Sequence, residues 1–94
     1  MMSSDTFIEY ARQVASNNLS EYYRADNQHL FKEIPPHAFE LVWFAHELGN
    51  KKCLFFCNEE GMKNYYTEVT YDVNRHKIYV DTYNKVLNMS YDVP

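Results

Sequence analysis

Apolar positions follow two different periods along this chain, and the change falls at Pro35-Pro36. Before the prolines, Ile8, Ala11, Ala15, Leu19 and Tyr22 recur at three- and four-residue intervals, with Phe7 and Val14 flanking the stripe. That spacing predicts a helix. Ser4 or Asp5 can cap it, and Asp5 and Glu9 sit near its positive end. "SNN" at 16–18 weakens the middle, so the pattern admits one helix or two, with Ser20 capping a second over "EYYRADNQHLFKEI". The proline pair closes the helical part at residue 34, because a residue before proline avoids helical angles.

After the prolines the period becomes two. "AFELVWFAHE" and "KKCLFFCNE" flank "LGNK", in which Gly49-Asn50 can fill a two-residue hairpin turn. That register sets Glu47 opposite Lys52, Phe44 opposite Phe55 and Trp43 opposite Phe56. A helix over 36–48 is the competing reading, with Pro36 in its first turn and Gly49 as its stop. The strand is preferred, because the apolar set fits neither helix face cleanly. "EEG" at 59–61 makes the next turn. "NYYTEVTYDVNRHKIYVDTY", residues 64–83, then supplies two more strands around "NRHK", with Val73 opposite Ile78, Tyr71 opposite Val80 and Val69 opposite Thr82. The expected architecture is α+β, in one domain spanning 1–94. One or two N-terminal helices (1–34) pack on a four-stranded antiparallel β-meander (38–85), and a tail (86–94) can add a short fifth strand.

Alternation sorts the second hairpin by face. Val69, Tyr71, Val73, Ile78 and Val80 belong to the core. Tyr66, Glu68, Thr70, Asp72, Tyr79, Asp81 and Tyr83 share the opposite surface, with Asp72 expected opposite Tyr79, Thr70 opposite Asp81 and Glu68 opposite Tyr83. Tyrosine gives rigid contact area with a polar tip, and neighbouring carboxylates steer a basic partner. Tyrosine and threonine are also ordinary occupants of exposed sheet faces. The first hairpin is apolar on both sides: Val42, Phe44, Phe55 and Cys57 on one, Leu41, Trp43, Ala45, Leu54 and Phe56 on the other. A helical layer covers only one side of a small sheet. Leu41, Trp43, Leu54 and Phe56 are therefore a candidate homodimer face, unless another segment of the chain covers them.

The formal charge of −4, with a high share of tyrosine, narrows the partners. Direct nucleic-acid binding is not expected, since phosphate neutralisation needs clustered Lys and Arg. A basic protein partner fits better. The opening "MMSSDTFIEYARQ" has neither the basic start nor the apolar run of a secretory leader, and no apolar stretch approaches membrane-spanning length. A cytoplasmic protein without membrane attachment is expected, with Cys53 and Cys57 reduced.

Chemistry has little support. His29, His37, His46 and His76 are scattered, and Gly49 and Gly61 cannot build a phosphate loop. In the expected register His46 faces Cys53, the one arrangement that invites a nucleophile, although a buried thiol beside a sheet histidine is the commoner situation. Cys53 and Cys57 lie too far apart on a strand to share a tetrahedral metal. No catalytic residue, metal or cofactor is expected. The size and acidity resemble those of immunity proteins that neutralise toxins and of phage proteins that disable defence nucleases. The expected function is accordingly that of an inhibitor occluding a basic, nucleic-acid-handling enzyme. The alternative is a homodimeric structural or assembly protein without catalytic activity.

Overall fold

Helix α1 spans Ser4–Asp26 without interruption through residues 16–18, in a computed structural model that describes residues 2–26 and 33–94. Its N-terminal cap lies one residue earlier than expected. The Ser3 hydroxyl accepts the Thr6 N–H at 3.2 Å, which satisfies a donor that the first turn leaves without a helical partner. Asp5 in the first turn and Arg24 in the last complement the helix dipole.

The buried stripe is Phe7, Ala11, Ala15 and Leu19. The stripe read from the sequence, centred on Ile8 and ending at Tyr22, is thus rotated slightly; Ile8 is only partly buried and Tyr22 is half exposed. Alanine at 11 and 15 lets the helix lie close to the sheet, and Phe7 fills the wider gap beside Phe44 and Tyr71, at ring separations of 6.2 and 6.3 Å.

Ser16 and Ser20 are ties rather than interruptions. Both are buried inside α1. The Ser16 hydroxyl donates to the Ile34 carbonyl, and the Ile34 N–H donates to Ser20 Oγ at 3.0 Å. Both polar groups of a buried backbone unit are thereby satisfied. Ser20 is therefore not the cap of a second helix. Residues 21–26 of that expected helix belong to α1, and 27–32 lie outside the described residues.

After a 3-10 turn at Pro36–Ala38 come β1 (Phe39–Glu47), β2 (Asn50–Cys57), β3 (Tyr65–Asp72) and β4 (Lys77–Asn84), an antiparallel meander in sequential order. The helix reading of 36–48 is thus replaced by strand over most of its length. α1 packs on one face. Its apolar stripe meets Phe39, Cys53, Phe55, Cys57 and Val69, with Ile34 and Met62 closing the ends. Arg12 spans this layer, donating to the Phe39 carbonyl at 2.6 Å with its guanidinium 5.3 Å from the Phe55 ring centre.

Both hairpins turn one residue earlier than expected, which shifts cross-strand partners by two. Glu47 pairs with Asn50, so the first turn is Leu48-Gly49 rather than Gly49-Asn50. The φ values of 53° and 84° at these two residues are those of a type I′ turn, which matches the twist of the strands it joins. Phe44 consequently faces Cys53, and Trp43 faces Leu54. In the second hairpin Asp72 pairs with Lys77, Tyr71 with Ile78, Val69 with Val80 and Thr67 with Thr82. The intervening turn is held by the Asp72 carboxylate, which accepts the Arg75 N–H at 3.3 Å and pairs with its guanidinium at 3.2 Å. That local pairing accounts for the earlier closure.

Gly49 should not tolerate a side chain. Its φ is in the left-handed region, and an added Cβ would meet Val73 Cγ1 at 3.1 Å. Gly49→Ala is expected to lower stability by about 1–2 kcal/mol, read as a lower urea midpoint at unchanged slope. An unchanged midpoint would contradict this turn.

Candidate functional site

α1 packs on one side of the sheet, and among the described residues the other side is an open face built by all four strands. Cross-strand pairing arranges it in rows. Phe56 lies between Glu40 and Tyr66, and Tyr66 in turn faces Tyr83. The Phe56 and Tyr66 rings are 5.8 Å apart. The next row is Trp43, Leu54, Glu68 and Asp81, and the third is Ala45, Lys52, Thr70 and Tyr79. A shallow hollow of about 430 Å³ opens between Ala45, Glu47, Lys52 and Thr70.

The two candidate surfaces read from the sequence thus meet on one face. Tyr66, Glu68, Asp72, Tyr79, Asp81 and Tyr83 form its β3–β4 half, and Trp43, Leu54 and Phe56 its β1–β2 half. Leu41 does not join them. A bulge between Leu41 and Trp43 shifts the register, and Leu41 pairs with Phe55 on the helix side. The expected pairings within the face also change: Glu68 lies opposite Asp81 rather than Tyr83, Thr70 opposite Tyr79, and Asp72 opposite Lys77.

Charge on this face is unevenly compensated. Glu40, Glu47, Glu68, Asp72 and Asp81 stand against Lys52 and Lys77. Lys52 does not face Glu47 as expected; its ammonium lies 3.5 Å from Glu68. Asp72 is engaged by Arg75. Asp81 is exposed and has no ion pair among the described residues, while the Glu68 carboxylate occupies the position directly opposite. Like charges facing each other across a strand pair are unfavourable, so this is a local cost that the fold itself does not need. The sequence pattern placed both acids on the face but could not set them opposite each other, because that depends on the register.

Among the described residues the helix side offers no comparable site. His46 faces Lys51 rather than Cys53, which removes the pairing that invited a nucleophile. Both thiols are free and buried. Burial pushes Cys53 up to about 12, only partly opposed by Arg12, and raises Cys57 as well. A thiol held protonated in this way is the reverse of an activated one. Among the described residues no cluster of three or more His, Cys, Asp or Glu is placed to hold a metal, and no helix is long and apolar enough to cross a membrane.

A family model described as a family of unknown function, DUF6275, aligns with residues 8–93. No curated protein and no solved structure matches the chain.

Proposed function

The chain belongs to the DUF6275 family, and we propose that it works by binding another protein through the open face of its sheet, as a small acidic inhibitor of a basic, nucleic-acid-handling enzyme. The observation that carries this reading is the Glu68–Asp81 pair in the middle of an aromatic surface, in which Lys52 compensates only Glu68. A Lys or Arg from a partner would sit between two carboxylates that otherwise repel. Trp43, Phe56, Tyr66 and Tyr83 around it supply contact area with few torsions to freeze. The same basic groups would normally touch phosphate, so seating them on this face blocks nucleic acid by occlusion. The inhibited enzyme supplies the chemistry in this account, and this chain needs no catalytic group of its own.

The test is capture of partners by the tagged chain from cells that naturally carry it, with the complexes weighed intact. A basic protein at equimolar stoichiometry is expected. It should be lost when Tyr79→Ala and Asp81→Ala are combined, and its association should slow as salt rises. Undiminished capture by that double variant would reject the surface.

A further inference from the structure

Beyond this face, the chain after β4 carries a second pattern that the folded domain does not use. Leu87, Met89, Tyr91 and Val93 alternate with Asn88, Ser90 and Asp92. This is the period of a strand with one buried side. Yet the segment forms no strand, and Leu87, Met89, Tyr91 and Val93 are 74, 60, 79 and 91% exposed. It projects from the domain. The radius of gyration is 14.8 Å, against about 12 Å for a compact chain of this length.

The chain's own sheet is poorly placed to receive it. Lys85 N–H donates to the Asn64 carbonyl at 2.7 Å, which carries the segment straight past the end of β4 and away from a return along its edge. The other edge, β1, is three strand spacings away, about 14 Å. Reaching it would use about four residues of the alternating run. The edge itself is receptive. β1 is long, carries neither proline nor lysine, and leaves Leu41 and Val42 exposed. Such an edge is a template for another strand.

We infer that residues 85–93 of one copy add as a fifth strand to the free edge of β1 in a second copy, each chain giving and receiving one segment. The nine residues of β1 match the donated segment in length. Antiparallel addition brings Lys85 to the His46–Glu47 end of β1. With Lys85 opposite His46, which lies on the helix side, the apolar set of the donated strand extends the helix-side layer. The open face described above stays free in such a dimer, so assembly and partner binding are separable.

Sedimentation of the intact chain at micromolar concentration tests this. A dimer is expected, and Met89→Asp combined with Tyr91→Asp should make it a monomer that still unfolds cooperatively in urea, because neither side chain packs on the domain. Trp43→Ser, on the open face, should leave the dimer intact. Backbone amides of 87–93 should exchange at least about tenfold more slowly in the wild type than in the double variant. A wild-type monomer overturns the proposal. So does a dimer that survives the tail substitutions, or one that Trp43→Ser dissociates. Failure of the wild-type chain to capture any basic protein, with the dimer intact, would count against the open-face account alone.

Discussion

Asp81→Lys is expected to make the isolated protein more stable and a worse binder. The two effects come from one geometric fact. Asp81 lies opposite Glu68, and only Glu68 has a cation beside it, Lys52 at 3.5 Å. Placing an ammonium at 81 turns a repulsive cross-strand pair into an attractive one, a gain of a few tenths to about 1 kcal/mol that salt will reduce. For a partner whose basic groups dock there, the same change presents a cation to a cation. Affinity should fall by about 2 kcal/mol or more, close to thirtyfold. A structural role alone would move both quantities together. Opposite signs, measured by urea denaturation and by binding, separate a face kept acidic for a partner from ordinary sheet surface.

Phe55→Ala should have the largest effect on stability. Phe55 is fully buried at the centre of the helix–sheet interface, edge-on to Phe39 at 6.5 Å and beneath the Arg12 guanidinium. Truncation removes the ring's transfer energy and leaves a cavity. The neighbours cannot readily collapse into it, since Arg12 is also held by the Phe39 carbonyl. A loss of about 3–5 kcal/mol is expected. That is a large part of the total for a domain this size, so the variant should be partly unfolded at 37 °C. Denaturant unfolding followed by tyrosine fluorescence and circular dichroism measures it. A loss below about 1 kcal/mol would mean that the core is not centred on this ring.

The periodicity of the chain revealed more of the site than of its pairings, and the reason is parity. Both hairpins turn one residue earlier than their turn residues suggested, closing at Glu47–Asn50 and Asp72–Lys77, so cross-strand partners move by two. A shift of that size returns every side chain to the same face. Tyr66, Glu68, Tyr79, Asp81 and Tyr83 therefore share the open surface just as alternation predicts, while each lies opposite a different neighbour. Leu41 escapes because a one-residue bulge changes parity, and nothing in "ELVWF" marks Val42 as the extra residue. The positive φ of Leu48 was equally hidden, since a leucine is an unusual occupant of that conformation. In the helix, local propensity was overridden by tertiary contacts. Ser16 and Ser20 look like interruptions until the Ile34 backbone arrives between them.

The account depends on one face of the sheet being the surface that meets another protein. Photo-crosslinking from two tyrosine positions tests that most directly. A photoreactive phenylalanine analogue replaces either Tyr79, on the open face, or Tyr10, comparably exposed on α1 across the sheet. Irradiated in cells that naturally carry the protein, the chain labelled at 79 should join covalently to a basic protein at one-to-one stoichiometry, and the chain labelled at 10 should not. Crosslinks to another protein from position 10 alone, or from neither position, would contradict it.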